Sequence, residues 1–148
     1  MNTQMLAELT ETYGDLNHPN WFSMRKRHEA IPYRNVESQI REFAKINDEM
    51  DYNNDYMAVY SVTSKIGNLC LFISLIGKYA YIGDVNGKIL PESELSCDEL
   101  GSKVLDIVRR EEIKYMTKEE MQEEILFNNE KILLYQVLFC AIEPFWDL

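Results

Sequence analysis

The stretch Leu69-Cys-Leu-Phe-Ile-Ser-Leu-Ile-Gly-Lys-Tyr-Ala-Tyr-Ile-Gly-Asp-Val-Asn-Gly87 decides the fold. Residues 69–76 are aromatic, β-branched and aliphatic, and are bounded by Gly67-Asn68 and Gly77-Lys78, the pattern of a strand between turns. Gly77-Lys78 reads as a two-residue link to the run 79–85, because glycine in first place permits the positive φ of a tight II′ hairpin. Asn86-Gly87 reads as a second tight turn, of the I′ kind, into Lys88-Ile89-Leu90. Just upstream, residues 56–63 (Tyr-Met-Ala-Val-Tyr-Ser-Val-Thr) have the same strand character. The expected product is an antiparallel meander of three or four strands, which Pro91 breaks.

Helical spacing flanks the meander. Met5, Leu6, Leu9 and Tyr13 recur along residues 2–12, and Gly14 stands where a helix would stop. Asn35 is placed to cap a helix over residues 36–50, with Val36, Ile40, Phe43 and Ala44 or Asn47 inward. Downstream, Ser96-Cys97-Asp98-Glu99 and Thr117-Lys118-Glu119-Glu120 each have the hydroxyl and carboxylate spacing of a capping box. The first predicts a helix burying Leu100, Val104, Ile107 and Val108 and ending near Arg110. The second predicts a short helix with Met121, Ile125 and Leu126 inward. Asn128-Asn129 turns the chain into residues 132–142, apolar on both alternating faces, which predicts a strand covered on both sides. The order predicts one domain over residues 1–148. Its class is α+β: a mainly antiparallel sheet, the meander plus a C-terminal strand, covered by helices.

The 148 residues carry 15 Lys and Arg against 25 Asp and Glu, a net charge of −10, with 46% hydrophobic side chains. A chain that apolar can offset its conformational entropy and fold. Its acidity disfavours nucleic acid or an anionic membrane as ligand and favours a basic partner. The acidity is uneven, since residues 1–50 hold six cations and eight acids while residues 51–148 hold nine and seventeen. The sequence at the N-terminus does not resemble a secretory signal. The longest uncharged stretches, 66–77 and 132–142, fall short of the ~20 residues that cross a bilayer, and both read as buried strands. Cys70, Cys97 and Cys140 lack CxxC or CxxH spacing, which argues against a disulfide framework or structural zinc and fits buried, reduced thiols in a cytoplasmic protein.

No catalytic signature appears: HExxH, GxSxG, GxGxxG and the P-loop pattern are absent. His18 and His28 lack partners at ligand spacing and read as surface residues. Asp84-Val85-Asn86-Gly87 lacks the remaining oxygen ligands of a calcium loop, so it reads as a hairpin turn. The expectation is a non-enzyme with no cofactor and no metal.

Glu119, Glu120, Glu123 and Glu124, with Asp98 and Glu99, form the acid-rich segments. Acids suit the first turn of a helix. A helix continuing through Glu123 and Glu124 would set like charges four residues apart, at a cost of a few tenths of a kcal/mol per pair. Two readings stand: a solvated face, or a docking face for a basic protein. Arg25-Lys26-Arg27 reads as a solvated loop, with a phosphate or RNA contact beside Trp21 and Phe22 as its alternative. Phe145 and Trp146 either seal the sheet or, with Trp146 flanked by Glu143 and Asp147, anchor an interface.

The whole layout, with the meander 69–87, the acid-rich helices and the single-domain length, resembles the immunity proteins of bacterial toxin systems, notably those of contact-dependent growth inhibition. The resemblance implies a cognate toxin, often a basic nuclease, neutralised by occlusion of its active site. Charge and exposure nominate Glu119, Glu120, Glu123, Glu124, Asp98, Glu99, Trp146 and Asp147 as partner-binding residues. The alternative is an adaptor or regulatory domain that docks a basic protein without inhibiting it.

Overall fold

The strand-forming runs pair as their period of two requires. The computed structural model describes residues 1–18, 33–49 and 57–139. In it β1 (Lys45–Asp48), β2 (Met57–Ser64), β3 (Gly67–Ser74), β4 (Tyr79–Gly83) and β5 (Lys114–Tyr115) form one sheet in that order. Neighbours from β1 to β4 are antiparallel, and β5 joins β4 in parallel. The class is the α+β arrangement expected. Ser64 pairs with Gly67, so Lys65-Ile66 forms the tight β2–β3 turn.

Two other turns differ from expectation. Four residues, 75–78, join β3 to β4, and Gly77 has no positive φ, so there is no II′ hairpin. What requires glycine there is space: a Cβ would lie 2.5 Å from Glu8 Oε2 and 2.6 Å from the Tyr79 ring. At the next turn Asp84 Oδ1 accepts hydrogen bonds from the amides of Asn86 and Lys88, each at 2.9 Å. Only Gly87 takes a positive φ, +83°, whereas an I′ turn needs it at both central positions. A single bridge, Gly83 to Ile89, follows and no further strand. The turn with the I′ signature is Asn128-Asn129, at φ +52° and +63°, between β6 (Glu124–Phe127) and β7 (Glu130–Leu133).

The registers sort the central side chains onto two faces. Tyr60, Leu71 and Ile82 align across β2, β3 and β4, as do Val59, Phe72 and Tyr81 on the other side. The first face looks toward α4 (Glu99–Arg110), whose Leu100 lies beside Gly67, while α2 (Arg34–Arg41) packs between α4 and β1. On the second face Phe72 stacks on Tyr81 at 4.5 Å, and Tyr81 meets the Phe139 ring edge-on at 5.0 Å. There α6 (Leu134–Leu138) closes the sheet: Ser74 Oγ donates to the Leu138 carbonyl at 2.5 Å, and the Tyr13 hydroxyl of α1 (Thr3–Tyr13) donates to the Val137 carbonyl. Covered on both sides, β4 is buried at every residue.

The helix ends follow their caps. Asn2 accepts from the Met5 amide and Gly14 closes α1 at φ +75°, so Met5, Leu9 and Tyr13 are buried, but Leu6 is exposed. The helix expected over 36–50 stops at Arg41, and residues 45–48 form β1, because Ile46 pairs with Val62 at the sheet edge. Val36 and Ile40 are buried, Phe43 and Ala44 half-buried, and Asn47 points to solvent. The box expected at Ser96 is absent. Ser96 and Cys97 end α3 (Glu92–Cys97), and Asp98 caps α4, accepting from the Gly101 amide at 2.7 Å. Leu100, Val104, Ile107 and Val108 are buried, as expected. After α4, β5 reaches β4 through the crossover that parallel pairing requires.

The capping box at Thr117 forms, but its helix α5 (Lys118–Met121) is one turn long and β6 follows. Strand alternation then buries Ile125 and Phe127 and leaves Leu126 57% exposed, against the inward placement expected for Leu126. Residues 132–139, the described part of the run 132–142, do not supply a central strand: among the described residues β7 pairs only with β6, and α6 takes over at Leu134. Cys70 is half-buried and Cys97 exposed, against the expectation of buried thiols. Trp21, Phe22, the basic run 24–28 with His28, Cys140, and the tail with Glu143, Phe145, Trp146 and Asp147 lie outside the described residues. Among the described residues no helix is long and apolar enough to cross a membrane.

Candidate functional site

The crossover from β4 to α5 builds an open cleft of about 390 Å³. Its apolar wall is Ile89, Pro91, Tyr115 and Met116, and its rim is Glu92, Ser93, Thr117, Lys118 and Glu119. Tyr115 sets the wall: its hydroxyl donates to the Leu90 carbonyl and accepts from the Ile82 amide at 3.0 Å, tying β5 to the chain that leaves β4. Burial, and more weakly the Glu92 charge, push this phenol above its ordinary value, so it stays a donor. Glu92 is held at 3.1 Å by Arg109.

The clustered acids separate once placed. Glu119 is exposed at the cleft mouth and, among the described residues, has no ionic partner. Glu120 accepts the Thr117 amide in the capping box and binds Lys114 at 2.5 Å. Burial raises its carboxyl, but Lys114 and the Thr117 contacts together outweigh that and hold it below the ordinary carboxylate range. Glu123 receives the terminal amine of Met1. Glu124 stands on the outward face of β6 and, among the described residues, has no ionic partner. Asp98 is committed as the α4 cap, and Glu99 is exposed in the first turn beside it. Trp146 and Asp147 cannot be placed, lying outside the described residues.

The like-charge argument for Glu123 and Glu124 therefore falls, since neither shares a helix with Glu119 or Glu120. Among the described residues Glu99, Glu119 and Glu124 remain as exposed carboxylates without an ionic partner, and the residues that sequence reasoning missed are the cleft walls. Tyr115 and Met116 carried one signal: apolar side chains between two helices, too few for a periodic pattern. The described residues contain no group of three His, Cys, Asp or Glu arranged to hold a metal ion. What the cleft offers is an apolar recess with polar groups of both signs around it, suited to receiving a side chain. Comparison with protein families, with curated proteins and with solved structures finds no match.

Proposed function

We propose that this chain is a non-enzymatic immunity protein, acting in the cytoplasm, that binds and neutralises a cognate bacterial toxin of basic character such as a nuclease domain. One observation carries the reading: Glu119, exposed and without an ionic partner among the described residues, stands over an apolar recess whose wall is fixed by the Tyr115 hydrogen bonds. A net charge of −10 steers a basic protein inward, and a recess accepts the anchoring side chain that steering alone cannot hold. A nuclease presents Lys and Arg to hold phosphates, so carboxylates compete for the same field.

The test is growth of cells that express this chain together with the toxic domain encoded by the neighbouring reading frame. Rescue is expected, and continued killing overturns the reading. If the partner is bound while its activity persists, the chain is an adaptor instead. Glu119→Lys with Glu124→Lys is expected to slow association about tenfold in dilute salt and little in concentrated salt. Glu120 and Glu123 are left intact because their internal bonds would confound the result.

A further inference from the structure

The cleft opens where the outer edge of β4 changes partner. Beside the start of β4 runs β5: the Lys114 amide donates to the Lys78 carbonyl and the Met116 amide to the Ala80 carbonyl, both at 2.8 Å. Beside its end runs the returning chain, where the Leu90 amide donates to the Ile82 carbonyl and the Lys88 carbonyl accepts from the Asp84 amide, both at 2.9 Å. The two pieces run in opposite directions and separate between Met116 and Leu90. The Tyr115 hydroxyl spans the gap, bonded to Ile82 and to Leu90.

Backbone groups alternate in direction along a strand, so the residue between two that bond to β4 points the other way. These residues are Tyr115, between Lys114 and Met116, and Ile89, between Lys88 and Leu90. Each turns its amide and carbonyl out from the sheet, and among the described residues none of the four groups has a hydrogen-bond partner. Tyr115 lies level with Ala80 and Ile89 with Gly83, three residues apart along β4 and so about 10 Å. An odd offset would put two like-directed pieces out of phase with one added strand. Here it fits, because a strand antiparallel to one piece is parallel to the other: it bonds level with the first and to either side of the second. Both residues also line the cleft, so a strand added at this edge passes its recess.

An edge with outward amides and carbonyls is a template for another chain. Charge selects which chain. A second copy of this protein carries the same −10 and is repelled, whereas a basic segment is drawn to that charge and to Glu119 on the cleft's rim. We propose that an extended segment of a basic protein adds here as a further strand, its backbone on the outward groups of Tyr115 and Ile89 and one side chain in the recess. The inference rests on the reading of this cleft as the seat of a basic partner and gives that partner's mode of binding.

The probe is an octapeptide of alternating arginine and valine, acetylated and amidated at its ends, titrated into the isotopically labelled full chain and followed by amide NMR. The Tyr115 and Ile89 amide protons are expected to move downfield saturably as they gain acceptors, with a dissociation constant on the order of 1 mM or tighter. The Lys114 and Met116 amides, already bonded on the β4 side, should move less. Two analogues of equal length are the controls. Proline in place of each valine keeps the charge but prevents strand pairing, and glutamate in place of each arginine reverses the charge and offers a partner to Lys118 on the same rim. Each should bind about tenfold more weakly or worse. Absence of the two downfield shifts overturns the proposal. So does equal binding of the proline peptide, which defines a charge contact without a strand, or of the glutamate peptide, which defines an edge indifferent to charge. The peptide result stands apart from growth rescue: rescue without the shifts leaves the immunity reading and removes strand addition, whereas the shifts without rescue leave the edge and remove the toxin.

Discussion

Gly77 carries more of this structure than its place in a four-residue connection implies. The Tyr33 hydroxyl donates to the Ser74 carbonyl at 2.6 Å and lies 3.1 Å from the Gly77 carbonyl, so the connection is pinned from one side. On the other side Glu8 and the Tyr79 ring occupy the volume of a missing Cβ. Gly77→Ala must therefore displace both. The carboxylate tip moves easily, but the ring is part of the core, with Tyr79 only 4% exposed. The expected loss is about 1–3 kcal/mol, read as a lowered urea midpoint with unchanged slope. Gly77→Ala with Glu8→Ala relieves only the flexible contact and should recover less than half of the loss. Sequence made this glycine visible as a turn residue but gave the wrong reason for it, because Glu8 is distant in the chain and only the fold sets it and the Tyr79 ring against the position of a Cβ.

At the scale of elements, α5 shows how a short helix can be held by its ends. Thr117 Oγ1 accepts from the Glu120 amide at 3.1 Å, and Glu120 Oε1 accepts from the Thr117 amide at 3.1 Å. Thr117→Ala is expected to cost about 0.5–2 kcal/mol. Glu120 also titrates below its unfolded value, so its contribution is present above about pH 4.3 and lost as pH falls through the lower folded value. Glu120→Gln should match the parent at low pH and fall behind it by about 0.5–1 kcal/mol toward neutrality, the range for a solvent-screened pair. Chemical denaturation of both proteins across acid pH checks this, and a constant gap would count against it. This box was legible because its partners are three residues apart. The same spacing misled at Ser96, where Asp98 makes the cap and Gly101 lets α3 approach α4: a Cβ at Gly101 would lie 2.9 Å from Leu95 Cδ2. The meander was legible from its period. Residues 132–142 were not, because an apolar run that short has no period to separate strand from helix, and its described part, 132–139, holds the end of a strand and then a helix. Of the candidate site, Glu119 and Glu124 could be nominated by charge, whereas the cleft depends on a two-residue strand that only tertiary pairing with β4 creates.

For the whole molecule, the two tyrosines at the parallel β4–β5 edge couple stability to alkaline pH. Burial first, and neighbouring carboxylates after it, push Tyr79 and Tyr115 above their ordinary values, although for Tyr115 the bond to Ile82 pulls the other way. A phenol with a raised folded value stabilises the native state fully below its unfolded value, about pH 10, and that stability is lost as pH rises beyond it. The parent should therefore lose stability from about pH 10 upward more steeply than a variant lacking these hydroxyls. Tyr115→Phe removes the bonds to Leu90 and Ile82, so it should start about 1 kcal/mol or more lower near neutrality and then decline less. The two curves should converge as pH rises. Parallel curves would mean that the Tyr115 phenol titrates alike in the folded and unfolded chain. Because the same hydroxyl fixes the wall beneath Glu119, its ionisation should loosen the cleft before the sheet unfolds. Amide exchange at Met116 and Ile89 should then accelerate at lower pH than exchange in β3, which is covered by both helical layers. Simultaneous acceleration in both places would show that the crossover and the sheet open as one unit, with Tyr115 acting as part of the core and not as a latch on the cleft.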